Sequence, residues 1–125
     1  MFETIKVSTL GKTWLLDIDG TICKHNGYKI DGYDTLLPGA KEFFDSLPEE
    51  DCVIFITSRQ KEAAEQTEHF LQKNGIKYAA IIYELPYGER ILVNDRKPSG
   101  LETSIAINTQ RNRFMEQKFV KDKSL

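Results

Sequence analysis

The chain is poor in cysteine, in long apolar runs and in excess charge, and each shortage removes a class of protein. Cys23 and Cys52 are the two cysteines among 125 residues. They lie far apart and match no metal-binding spacing, which argues against a cysteine-built metal site and predicts free thiols in a reducing compartment. No stretch approaches the apolar length a bilayer demands, and Met1–Leu10 has no basic region followed by a long apolar one. A cytoplasmic location with no membrane partner is therefore expected. The formal net charge is only -2, with both signs interspersed, so no nucleic-acid partner is expected, whereas a small anionic substrate suits the balance. Internal repeats and low-complexity linkers are lacking as well.

What is present alternates between two patterns. Thr13–Asp17 and Cys52–Thr57 are short runs rich in Val, Ile, Leu and Phe that stop at polar residues, as buried parallel strands do. Ala79–Tyr83 and Ile91–Asn94 read alike, and Ser104–Ile107 adds a short fifth candidate. Between them, Ala40, Phe43, Phe44 and Leu47 follow the spacing of an amphipathic helix introduced by Pro38 and Gly39 and stopped at Pro48. Gln60–Asn74 carries Ala63, Thr67, Phe70 and Leu71 on one face, with Gly75 placed to end it. Such alternation predicts one α/β domain spanning 1–125, with its core at about 10–110. The expected architecture is a three-layer, Rossmann-like parallel sheet with helices on both faces. Residues 111–125 form a charged tail in which Phe114, Met115 and Phe119 share a helical face.

The chemistry is concentrated where these strands end. Trp14–Thr21 reads W-L-L-D-I-D-G-T, and side chains two apart on a strand share a face, so Asp17 and Asp19 reach one spot. Two such acids suit a nucleophile, a proton shuttle or a magnesium site. Thr57 and Ser58 end the second long strand, where hydroxyls and backbone N–H groups can hold phosphate or cap the following helix. Asn94 and Asp95 end another candidate strand. Asp17, Asp95 and a neighbouring carbonyl would meet the modest oxygen demand of magnesium, although Asp95 alone also suits a turn.

In these residues the chain resembles the haloacid dehalogenase superfamily of phosphotransferases, whose first motif is an apolar strand followed by D-x-D-G-T. Asp17 to Thr21 match every position, Thr57 matches the hydroxyl of the second motif, and Asn94 with Asp95 partly match the acidic last motif. The likeness covers roughly residues 13–100 and looks nearest to small capless phosphatases of bacterial capsular, surface-polysaccharide and sugar-phosphate pathways. It implies a magnesium-dependent phosphomonoester hydrolase acting on a sugar phosphate or related metabolite. Asp17 would attack phosphorus to form an aspartyl-phosphate, and Asp19 would serve as acid and then base. Magnesium would be held by Asp17, the Asp19 carbonyl and Asp95, with Asn94 beside them. Thr57 would bind a phosphoryl oxygen, aided by backbone N–H groups near Ile18 and Ser58.

Two departures from the family pattern stand out. Asn94 replaces a first acid, which predicts weaker magnesium binding, and loss of magnesium-dependent turnover in Asp95→Asn is the outcome that reading requires. The cation that should contact both phosphate and nucleophile has no clear representative; Arg90 and Lys97 flank the Asn94–Asp95 strand, and Arg90 is preferred because it can fork onto phosphate oxygens. The loop over 22–38 is too short for a folded lid. Its Lys24, His25, Asn26, Tyr28, Lys29, Tyr33 and Asp34 would instead make a flap or hairpin, with His25 weighed as an ordinary exposed residue. Without a large cap, a bulky substrate such as a nucleotide conjugate, or a second copy of the chain, must exclude water. Two rival readings are a receiver-like phospho-acceptor domain and a relative that binds phosphosugars without turnover. Receivers carry their acceptor aspartate on a later strand, and the presence of both Asp17 and Asp19 opposes the second.

Overall fold

The computed structural model describes residues 4–125; the first three residues of the Met1–Leu10 segment lie outside the described residues. Strand β1 is Ile5–Val7, β2 Thr13–Asp17, β3 Cys52–Ile56, β4 Ala80–Ile82 and β5 Phe119–Lys121. Helices α1, α2 and α3 cover Gly27–Ile30, Ala40–Ser46 and Ala64–Lys73, and a turn of 3-10 helix over Lys61–Ala63 leads into α3. The protein is α/β with parallel strands in two sheets, one of order β1-β5 and one of order β2-β3-β4. No helix among the described residues is long and apolar enough to cross a membrane.

The described residues fall into two compact units. The larger comprises Gly11–Tyr87 and Thr109–Met115, and contains β2, β3, β4 and the helices. Its register pairs Asp17 with Ile56 and Ile56 with Ile82. All three strands therefore end at one edge of the sheet, where parallel α/β sheets present their ligand sites. The opposite edge is held by Asp51, whose carboxylate accepts from the Lys12 N–H and the Trp14 indole, each at 2.9 Å.

Alternation sets the core. Leu16 and Ile18 from β2 and its loop, Val53 and Phe55 from β3, and Phe70, Leu71 and Ile76 from α3 and its end are buried together with Ile22 and Cys23. Rings join these elements: Phe43 of α2 lies 5.0 Å from Trp14 and 5.3 Å from Phe114, and Phe44 lies 5.8 Å from Phe55. Helix α2 stops at Leu47, whose extended backbone (ψ 133°) is what Pro48 demands of its predecessor. Helix α3 closes with the Gly75 N–H donating to the Gln72 carbonyl and the Ile76 N–H to the Leu71 carbonyl, both at 3.0 Å. This paired arrangement turns on Gly75 at φ +68°, with Ile76 packed against the helix end.

The smaller unit comprises 4–10, Gly88–Asn108 and Glu116–Leu125. Here the expected strand elements differ. Ile91–Asn94 and Ser104–Ile107 form no strand, and Ile91 and Val93 are 85% and 89% exposed. Their apolar side chains suit a pleated surface, yet a strand exists only where another accepts its backbone hydrogen bonds. The chain instead folds back over 94–103. Asn94 Nδ2 donates to the Thr103 carbonyl, Thr103 Oγ1 to the Asp95 carbonyl, and the Lys97 N–H to the Leu101 carbonyl. Residues 111–125 contain no helix: Asn112 makes a turn, Phe114 packs on the core of the larger unit, and Phe119–Lys121 pair with β1.

Candidate functional site

Asp17 closes β2, and the loop that follows is folded on a single carbonyl. The N–H groups of Thr21, Ile22 and Cys23 all point to Ile18 O, at 3.2, 3.0 and 3.4 Å. Ile18, Ile22 and Cys23 are wholly buried beneath it, so the loop is anchored by apolar packing while Asp17 and Asp19 stay half-buried on its polar side. Gly20 supports the turn at φ +78°, a conformation L side chains rarely adopt, and donates its N–H to Cys23 O at 2.8 Å. Thr21 Oγ1 donates to Asp17 Oδ2 at 3.2 Å.

Asp19 is held by a residue that follows β3. Arg59 donates from Nε to Asp19 Oδ2 at 2.9 Å and from Nη2 to Asp19 Oδ1 at 3.0 Å. The same guanidinium forks onto Asp34, with Nη2 at 2.7 Å from Oδ1 and Nη1 at 3.0 Å from Oδ2, and donates to Thr67 Oγ1 of α3 at 2.9 Å. Tyr28 lies against it, its ring centroid 3.9 Å from Cζ. The side chains of Arg59 and Asp34 are 1% and 0% exposed. Burial alone would lower the Arg59 pKa, but hydrogen bonds and charge from Asp19 and Asp34 outweigh it and push it up. The cation is permanent, and it fixes Asp19 through two parallel bonds.

Asp19, Cys23 and Asp34 also place potential ligand atoms within 4.8 Å of one another. The Arg59 guanidinium occupies that cluster, with Nη2 3.8 Å from Cys23 Sγ, so a metal there would have to displace a cation. Burial and then the Asp34 charge push the Cys23 thiol pKa up, which keeps it protonated and unsuited to ligation. The Asp17 carboxylate and Asp19 carbonyl are hard oxygen donors of the kind magnesium prefers.

Thr57 follows β3 and is buried; its Oγ1 accepts from the Arg59 N–H at 3.0 Å, and its carbonyl accepts from the Leu85 N–H at 3.1 Å. Neither Thr57 nor Ser58 caps the next helix, which starts after Gln60 without a side-chain cap. Ser58 Oγ donates to the Pro86 carbonyl at 3.4 Å. The N–H groups of Asp19 and Ser58 donate to no acceptor among the described residues. The larger unit thus carries Asp17, Asp19, Thr57 and Ser58 at or just after the carboxyl ends of its paired strands β2 and β3, while Arg90, Asn94, Asp95 and Lys97 belong to the smaller unit. Within that unit, Arg90 Nη1 donates to the Gly88 carbonyl, and Asn94, Asp95 and Lys97 build the turn over 94–103.

Arg59, Asp34 and Thr67 join the site without belonging to any of its sequence motifs, although Asp34 falls within the expected hairpin. That hairpin has an antiparallel bridge between Cys23 and Leu36 and a bond from the Lys24 N–H to the Thr35 carbonyl. It turns Tyr28 inward against Arg59 and leaves Tyr33 63% exposed. The usable signal was the T-S-R sequence itself, which places a long cation immediately after the phosphate-type hydroxyls.

Comparison with known proteins corrects the family expectation. No known family's sequence profile matches the chain, and no curated protein does. A solved structure that it resembles is a chain of the "Structure of Pnkp1/Rnl/Hen1 complex", with a TM-score of 0.52 and 24% identity over 68% of the present chain. Membership of the haloacid dehalogenase superfamily, and of its capless surface-polysaccharide type, is therefore not upheld. The D-x-D-G-T match is a short motif, and the fold likeness leads to a different protein. The protein spans 32% of that neighbour's length, and at this identity the likeness shows a shared fold alone.

Proposed function

We propose that the chain is a magnesium-dependent phosphomonoester hydrolase that works through an aspartyl-phosphate on Asp17, with a sugar phosphate or related small metabolite as substrate. The observation that carries this reading is the placement of Asp17 at the carboxyl end of β2, two residues before an Asp19 fixed by Arg59. Asp17 Oδ attacks phosphorus and the ester oxygen leaves, taking a proton from Asp19. Water then attacks the same phosphorus while Asp19 accepts its proton, which frees inorganic phosphate and restores Asp17. To move protons, Asp19 must release one oxygen from Arg59. Magnesium, when bound, would be held by the Asp17 carboxylate and the Asp19 carbonyl and would offset repulsion between two anions. The N–H groups of Asp19 and Ser58 follow the carboxyl ends of β2 and β3, donate to no acceptor among the described residues, and suit the phosphoryl oxygens.

A Rossmann-like, three-layer order belongs to the same proposal, supported by parallel strands whose carboxyl ends gather the acids. A cytoplasmic location is proposed with it, supported by the two free thiols. One observation favours a second reading, a phosphosugar-binding protein without turnover: both Asp19 oxygens accept from Arg59. A phosphate-release assay over sugar phosphates, nucleotides and a chromogenic phosphoester, with magnesium, separates the two. Release by wild type and none from Asp17→Asn is the expected result. Equal release by both would sink the nucleophile assignment, and binding without release would favour the second reading.

A further inference from the structure

We propose that Arg111 is the cation that binds the substrate's phosphoryl group; this rests on the phosphoryl-transfer reading and supplies the contact that reading lacks. A phosphomonoester dianion approaching Asp17 and Asp19 needs a counter-charge with free donors. Arg59 has none to offer. Its Nε–H goes to Asp19, its Nη1 hydrogens to Asp34 and Thr67, and its Nη2 hydrogens to Asp19 and Asp34, which engages all five guanidinium donors.

Arg111 stands against the same loop with different partners. It is exposed, and among the described residues it enters no ion pair. Its stem passes directly over Gly20, the residue after Asp19: a Cβ at Gly20 would lie 3.2 Å from Arg111 Cγ. His25 lies beside it, with Nδ1 3.6 Å from the same point. The turn that carries Arg111 is tied to the loop at both ends of its neighbour Asn112, whose N–H donates to Gly20 O at 2.8 Å and whose Oδ1 accepts from the His25 N–H at 2.7 Å. Asn112 adopts φ +65°, and the Arg113 N–H closes the turn on Gln110 O at 3.0 Å. Phe114 then anchors it by packing on Phe43. These restraints fix the backbone from which the exposed Arg111 side chain extends beside the loop, so that less freedom is lost when it closes on an anion. The guanidinium fork matches the oxygens of a phosphoryl group.

The test compares wild type with Arg111→Gln, Arg111→Lys and, as a charge control, Arg113→Gln. It measures KM for a chromogenic phosphomonoester with magnesium and inhibition by inorganic phosphate. Arg111→Gln is expected to raise KM and the phosphate inhibition constant about tenfold or more. Arg111→Lys should recover part of that loss, and Arg113→Gln should stay within about twofold of wild type, all with unchanged melting temperatures. Values for Arg111→Gln within twofold of wild type overturn the assignment while leaving the hydrolase reading intact. Calorimetric titration of inorganic phosphate into wild type and Arg111→Gln needs no turnover. If wild type releases no phosphate, the hydrolase reading fails; weaker phosphate binding by Arg111→Gln still supports the anion contact, and equal or absent binding overturns it.

Discussion

Arg59 joins the loop after β2, the hairpin over 23–36 and helix α3 through one buried guanidinium. Two carboxylates and one cation leave a net negative charge in a nearly dry place, and such a cluster persists only while every donor and acceptor is matched. Arg59→Met would leave Asp19 and Asp34 facing each other without a cation, and an expected loss of about 3–5 kcal/mol follows. Urea unfolding measures it: the midpoint falls at constant slope, with a smaller fall for Asp34→Asn. An unchanged midpoint would show that the cluster contributes nothing net. Arg59 was also the least legible residue of the site. Its partners lie 40 and 25 positions away, and no local pattern announces that two distant carboxylates converge on one arginine. Asp17 and Asp19 are legible from a local motif, the end of an apolar run, although Asp19 itself lies in the loop just past β2.

The strands of the larger unit were legible for the same reason. β2 and β3 each begin and end within a residue of where their apolar runs meet polar ones. Ile91–Asn94 carries a similar run and remains unpaired, since composition reports what a segment can bury and never which neighbour will accept its hydrogen bonds. Helix ends are more local. Gly75 marks the stop of α3 in the sequence, and its positive φ, with the two crossed hydrogen bonds around it, is why. Gly75→Ala is expected to cost about 1 kcal/mol through backbone strain. The space itself is permissive, because a Cβ there would meet only the end of the exposed Lys41 side chain, Nζ at 3.1 Å. Thermal unfolding checks this, and a variant as stable as wild type would place the strain elsewhere.

For the whole molecule, the central claim is that a parallel sheet delivers one aspartate as nucleophile and a second, oriented by Arg59, as proton shuttle. The measurement that tests it most directly is intact and peptide mass analysis of acid-quenched protein during turnover of a chromogenic phosphoester with magnesium. Wild type is predicted to carry one phosphoryl group on Asp17. Asp19→Asn should accumulate more of that species, because a good leaving group departs without an acid while hydrolysis of the intermediate lacks its base. Turnover with Asp17 unmodified, or a phosphoryl group on any other residue, would contradict the account.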